Sequence, residues 1–273
     1  MTTTLALGGE LTVNRMGFGA RWVDRNGPEA SRALLRRVLE LGVNLIDTAD
    51  VYGADGGSER AIADALHPYS PDLVIATKGG QVAIDGQPAA NGRPDYLRAA
   101  CEASLRRLRL DTIPLYQLHM PDPDVPLEES LGALVELRDE GKIRQIGISN
   151  VFRGDLARAL EIAPIVSVQN LYNLGRRGSD PEVDVCALNQ IAYMPWFPLF
   201  AGEIPGDGEI GRVAAARGVT AAQVALAWLL ARSPAMLPIP GTSSIEHLEE
   251  NVAAAAVQLS DAELAALETY SSE

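Results

Sequence analysis

Val43-Asn44-Leu45-Ile46-Asp47-Thr48-Ala49-Asp50-Val51-Tyr52-Gly53 is an apolar run that ends on an acid and then turns. Asn44-Leu45-Ile46 reads as a buried strand closed by Asp47. Tyr52 follows five positions later in the turn Asp50-Val51-Tyr52-Gly53, and a helical pattern comes next. The same design recurs twice. Leu73-Val74-Ile75-Ala76-Thr77 closes on Lys78, and Leu115-Tyr116-Gln117-Leu118 closes on His119, each again followed by a helical pattern. Where strands and helices alternate in a parallel sheet or barrel, the carboxyl ends of the strands share one face, and that face carries the chemistry. An acid, a phenol, an ammonium and an imidazole converging there form a proton-donating site.

Working outward, the alternation continues along the chain. Short β-branched runs lie near 43–46, 73–77, 113–118, 143–148, 165–169, 191–197 and 236–239, with a weaker first one near 15–19. Between them run helical stripes such as Leu97, Cys101, Leu105 and Leu108, or Leu127, Leu131, Leu134 and Leu137. The segment 220–232 is apolar almost all round and predicts a well-buried helix. Thr220 with Gln223, and Ser260 with Glu263, read as capping boxes, while Gly141 and Gly218 mark helix exits. Eight strands each followed by a helix predict an α/β fold, a closed (β/α)8 TIM barrel. Leu5 to Val13, around Gly8-Gly9, reads as an N-terminal β-hairpin. There is no linker, charge block or repeat, so residues 1–273 are expected to form a single domain.

Composition narrows the function. A net charge of −13 argues against nucleic acid and anionic membranes as partners, and requires local fields to hold any anionic ligand. Two cysteines in unrelated contexts give no disulfide framework and fit a reducing cytoplasm. No apolar run reaches 18 residues and the start lacks a basic leader, so a cytoplasmic protein without a membrane span is expected. His67, His119 and His247 have no mutual metal spacing, so no metal site is expected.

Polar residues also close the later strands: Ser149-Asn150, Gln169-Asn170, and Thr242-Ser243-Ser244 after Pro240-Gly241. Ser, Asn and Gln can bind a carboxamide, Trp196 or Phe197 can stack on a flat ring, and a small-residue turn opening a helix offers N–H groups to phosphate. Together they describe a dinucleotide site on a barrel. Each residue has a bland reading when taken alone. Asp47 could be a helix N-cap, Lys78 a solvated strand-end lysine, His119 a structural histidine and Tyr52 a half-buried turn aromatic. Their coincidence on one face decides for chemistry. Gly206-Asp207-Gly208-Glu209-Ile210-Gly211 satisfies G-x-G-x-x-G but lacks a second strand ending in an acid about 20 residues on. Its own acids would also oppose phosphate, so it reads as the loop after strand seven.

The chain resembles the aldo-keto reductases over nearly its whole length. The matching stretches are Gly42 to Gly53, Ala76-Thr77-Lys78-Gly79, Leu118-His119, Glu140 to Asn150, Val168 to Asn173 and Ile239 to Ser244. The resemblance implies a catalytic tetrad of Asp47, Tyr52, Lys78 and His119. It implies NADPH/NADP+ as cofactor, with NADH as the alternative, and a small-molecule carbonyl substrate reduced reversibly to an alcohol. Ser149, Asn150 and Gln169 would hold the carboxamide, and Trp196 the nicotinamide face. Ala20, Arg21, Phe197, Pro198, Leu199, Gly241, Thr242, Ser243, His247, Glu250 and Asn251 would complete the cofactor site. Two departures bear on the phosphate end: Gly241-Thr242 stands where many members have Lys-Ser, and His247 where many have Arg. Trp22 and Met120, with the prolines of 121–126, would line an open substrate pocket. A binding-only alternative is a regulatory or redox-sensing subunit like the beta subunits of potassium channels, which keep the tetrad.

Overall fold

The structure, a computed structural model, describes residues 3–84, 86–200, 208–268 and 270. Its centre is a curled parallel sheet of seven strands: β3 (Phe18–Gly19), β4 (Leu45–Asp47), β5 (Val74–Gly79), β8 (Ile113–Leu118), β9 (Ile143–Ser149), β10 (Ile165–Gln169) and β11 (Ala192–Tyr193). The segment from Ala235 to Gly241 fills the eighth position between the two sheet edges. Tyr193 N–H donates to Ala235 O, Leu237 N–H to Tyr193 O, Gly17 N–H to Pro238 O and Gly19 N–H to Pro240 O. It forms isolated parallel bridges rather than a strand. Pro238 and Pro240 carry no N–H, so the segment can accept bonds there but cannot donate them. The predicted seventh strand, 191–197, is likewise cut to two residues ahead of Pro195, although Trp196 N–H still reaches Asn170 O at 3.0 Å.

Helices cover the outside: α1 (Pro28–Glu40), α2 (Gly57–Leu66), α3 (Pro94–Leu108), α4 (Leu127–Asp139), α5 (Arg153–Ile162), α6 (Asp180–Leu188), α7 (Gly208–Arg217), α8 (Ala221–Arg232), α9 (Ile245–Ala253) and α10 (Asp261–Glu268). Among the described residues no single helix is long and apolar enough to cross a membrane. The expected boxes form at Thr220–Gln223 and Ser260–Glu263, and Gly141 and Gly218 take positive φ at helix exits. Gly206 and Asp207 of the G-x-G-x-x-G stretch lie outside the described residues, and Gly208 to Gly211 open α7.

The predicted hairpin is β1 (Thr4–Leu7) with β2 (Leu11–Asn14). It plugs the amino-terminal end of the barrel. Leu7, Leu11 and Val13 pack with the inward-facing Leu45, Val74, Ala76, Leu115 and Leu237. Arg15 closes the same end by donating to the carbonyls of Leu230, Ser233 and Met236. A second hairpin, β6 (Gln81–Ile84) with β7 (Gln87–Ala90), was not expected. It stands between β5 and α3, so the run ending at Lys78 does not pass directly into a helix. Its exit is tied to the loop after β8, since Gly92 N–H donates to Asp122 Oδ2 at 2.8 Å.

Candidate active site

Alternation along a strand points every second residue inward. Asp47 therefore shares the inner face with Leu45, Lys78 with Ala76, and Gln117 with Leu115. The plugged end is apolar and the open end polar. Lys78 Nζ donates to Asp47 Oδ2 at 2.7 Å and to Thr48 O at 2.8 Å. The other carboxylate oxygen, Asp47 Oδ1, accepts from Gln117 Nε2 at 3.2 Å and Gln169 Nε2 at 3.0 Å. Ser167 Oγ donates to Gln117 Oε1 at 3.2 Å, closing the layer. A Cβ at Gly147 would overlap Ser167 Oγ and Gln117, so a glycine there makes room for the polar layer.

The tetrad side chains converge. Lys78 Nζ lies 5.0 Å from the centroid of the Tyr52 ring, and the Tyr52 and His119 rings meet edge-on at 5.8 Å. Burial acts to lower the Lys78 pKa, but the Asp47 charge and hydrogen bonding with Asp47 and Tyr52 outweigh it, so the ammonium is held. Burial, then the charges of Lys78 and Arg21, push His119 well below the ordinary histidine range, so it is neutral. Its Nδ1 is buried without a hydrogen-bond partner. Tyr52 itself is half-buried, at the mouth of the site.

The expected cofactor residues lie around this centre. Ser149 donates to Gln169 O at 2.8 Å. Asn150 takes a left-handed φ of 57°, donates to His119 O at 2.9 Å and accepts from Trp196 Nε1 at 3.1 Å. Trp196 is thus fixed by the residue beside it in the expected carboxamide site. Phe197 is exposed, Pro198 buried, and Leu199 packs against the outer core. At the other end, Thr242 Oγ1 accepts from Ser244 N–H, and Ser244 caps α9 by accepting from His247 N–H. Asn26 holds Ser243 O at 3.2 Å. Glu249, which could have sat against His247, is paired with Arg37 at 2.7 Å, while Asn251 is buried and Glu250 half-buried. Met120 is half-buried at the end of β8, and Trp22 is exposed beside Arg21.

Neither Gln117 nor Asp50 has a site role in the sequence reading, and Asn170 stands there only as a polar strand end. Gln117 precedes His119 by two positions on the same strand face, a polar residue in an apolar run, and that was its signal. Asn170 braces the β9 exit through Val151, with Val151 N–H donating to its Oδ1 and its Nδ2 donating to Val151 O. Asp50 has its carboxyl pushed up to about 7, by burial first and then by the Glu59 charge, against the opposing pull of Arg107 and Lys78. Nothing in a turn Asp-Val-Tyr-Gly reveals that burial.

A carboxylate–ammonium pair at the base of a phenol, with a neutral imidazole opposite, is a proton-handling centre on a barrel rim. Residues 11–271 match the sequence profile described as Aldo/keto reductase family. The chain belongs to the aldo/keto reductase family. It is 42% identical to the pyridoxine 4-dehydrogenase of Escherichia coli over 97% of both chains. It is 43% identical to an oxidoreductase of Schizosaccharomyces pombe over 95% of this chain and 87% of that one. An aldo/keto reductase from Klebsiella pneumoniae, solved in complex with NADP and acetate, superposes with a TM-score of 0.86 at 32% identity, covering 98% of this chain and 95% of that one. The reductase fold therefore extends over nearly all of the chain.

Proposed function

We propose that this protein reduces an aldehyde or ketone to an alcohol with NADPH, reversibly, and that Tyr52 is its proton donor. The observation that carries the reading is the buried Lys78 ammonium, fixed by Asp47 and facing the Tyr52 ring at 5.0 Å. Bound NADPH would supply hydride to the carbonyl carbon. The oxygen left with negative charge then takes the Tyr52 proton. Lys78 stabilises the phenolate that remains, and Asp47 keeps Lys78 charged and aimed. His119, neutral with an unpartnered buried Nδ1, carries its hydrogen on Nε2 and uses it to orient the carbonyl oxygen.

The side chains suit the cofactor. Gln169 engages its N–H group on Asp47, which leaves its carbonyl oxygen to accept from a carboxamide. Trp196, held upright by Asn150, offers a ring face to the nicotinamide. The N-terminus of α9, with Thr242, Ser243 and His247 around it, favours a phosphate through its N–H groups and dipole. Ala20, Phe197, Pro198, Leu199, Gly241, Glu250 and Asn251 border this track.

The E. coli relative's name points to pyridoxal as one carbonyl to include among substrates. The relatives named above include a dehydrogenase and a reductase, which favours turnover over a binding-only role. We also take residues 1–273 as one domain of a cytoplasmic enzyme without nucleic-acid or membrane partners, supported by the family match over 11–271 and the charge of −13. The test is NADPH consumption with a panel of aldehydes and pyridoxal. Turnover of several aldehydes is expected. Tight NADPH binding with no oxidation by any carbonyl would overturn the enzymatic reading.

A further inference from the structure

Most arginines here have acidic partners. Arg37, Arg98, Arg107, Arg158, Arg217 and Arg232 are all in ion pairs. Arg21 and Arg25 are among those that form no ion pair among the described residues, and they stand together beside the proton donor. Both sit on one exposed ring. The Arg21 guanidinium is 4.8 Å from the Trp22 centroid and that of Arg25 is 3.5 Å from it. Arg21 also lies 5.3 Å from the centroid of the Tyr52 ring. The acid closest to them in sequence, Asp24, is turned towards Gly53 and Gly57.

Two like charges gathered on one ring repel each other, and an anion placed between or beside them removes that cost. The rest of the centre offers no such attraction. The Lys78 charge is balanced by Asp47 inside the barrel, and His119 is neutral. The chain as a whole carries −13, which repels anions from solution. Among the described residues, a substrate anion at the mouth thus meets an unpaired cation beside the proton donor in Arg21, 5.3 Å from the Tyr52 ring, with Arg25 behind it on Trp22. Trp22, 42% exposed between the two cations, can cover the flat or apolar part of the same molecule.

We propose that Arg21, backed by Arg25 on the shared Trp22 ring, is a specificity-determining residue that favours carbonyl substrates carrying a carboxylate or phosphate, a proposal that rests on the reductase reading above. The guanidinium meets the oxyanion by charge-assisted hydrogen bonds while the carbonyl end points to Tyr52 and His119. The family resemblance puts Arg21 beside the cofactor; here it is assigned instead to the substrate side of Tyr52.

Two matched pairs test it: para-formylbenzoate against its methyl ester, and glyceraldehyde phosphate against glyceraldehyde, each with NADPH. Wild type should prefer the anionic member. Arg21→Gln should lower kcat/KM on that member by roughly 10–100-fold more than on its neutral partner, mostly through KM. Arg25→Gln should act in the same direction with a smaller loss. A selective loss confined to the benzoate pair assigns a carboxylate, and one confined to the triose pair assigns a phosphate. Equal losses on both members of both pairs would overturn the proposal, and a raised dissociation constant for NADPH alongside them would put Arg21 on the cofactor. If wild type turns over no member of either pair, the reductase reading is what fails. Calorimetric titration of benzoate against benzamide, with NADP+ present, then decides the anion site. Selective benzoate binding that disappears in Arg21→Gln sustains it, and equal binding of the two sinks it.

Discussion

The Lys78 ammonium sits 2.7 Å from the Asp47 carboxylate, with 0% and 4% of the two side chains exposed. Neither charge can be removed alone without leaving the other bare inside the barrel, at a cost of about 3–5 kcal/mol. The second carboxylate oxygen is held by two amides, Gln117 and Gln169, so the pair also cannot swing. A buried ion pair is a poor device for stability, since apolar residues of similar size often do as well. Its worth here is positional: it keeps one positive charge at a fixed place beside a phenol.

Tyr52→Phe should remove most turnover while leaving fold and NADPH binding intact. The hydroxyl is half-buried at the rim, so its loss creates little strain. Positioned acid catalysis contributes roughly 10²–10⁴-fold, and kcat should fall within that range. A variant that keeps more than about half of the wild-type kcat removes Tyr52 from the donor role.

Lys78→Met should destabilise the protein as well as slow it. The substitution strips the buried Asp47 carboxylate of its counter-charge. A loss of about 3–5 kcal/mol is expected, and Asp47→Asn in the same chain should recover part of it. Urea midpoints of the single and double variants measure this. A double variant no more stable than Lys78→Met would mean that the buried charge is not the source of the loss.

Much of this site was legible because strand alternation and the shared face of strand ends are periodic rules. Asp47, Lys78 and His119 each terminate an apolar run, and the structure brings them together with Tyr52. What periodicity cannot reveal is which polar groups face one another across strands. Gln117 and Gln169 meet Asp47 over 70 and 122 residues of chain. The last barrel segment was placed correctly as an apolar run at 236–239, but Pro238 and Pro240 prevent it from pairing as a full strand. The hairpin of β6 and β7 escaped notice because its strands are four residues each and mostly unburied, and its alternating pair Val82 and Ile84 is too short to read as a buried face.

Asp50→Asn should stabilise the protein above a pH of about 7 and have little effect near 3.8. The sign follows from proton binding. The unfolded carboxyl ionises near 3.8, whereas in the fold, burial and Glu59 delay ionisation to about 7. Between those values the folded state binds more protons, so stability falls as pH rises, and above about 7 the full penalty remains. Asparagine cannot ionise and escapes it. Thermal midpoints of both proteins across this window check the point. A difference between the two that does not change with pH would mean that Asp50 does not titrate there.

NADPH should be preferred over NADH, but less strictly than where the phosphate is met by fixed cations. Gly241-Thr242 and His247 supply no permanent charge. The structure also ties Glu249 to Arg37, so that acid is not available to draw a proton onto His247. What remains is neutral: the Thr242 and Ser243 hydroxyls and the N–H groups at the start of α9. A helix N-terminus contributes typically 0.3–1 kcal/mol to an anion at a surface site, up to about 2 kcal/mol when partly buried. That range corresponds to a preference of roughly 2- to 30-fold, to which the two hydroxyls add. The measurement is kcat/KM for each cofactor with one carbonyl at fixed concentration. Thr242→Ala with Ser243→Ala should narrow the ratio further, through KM for NADPH. An NADH preference in wild type would overturn the assignment, and an unchanged ratio in the double variant would move the phosphate away from this turn.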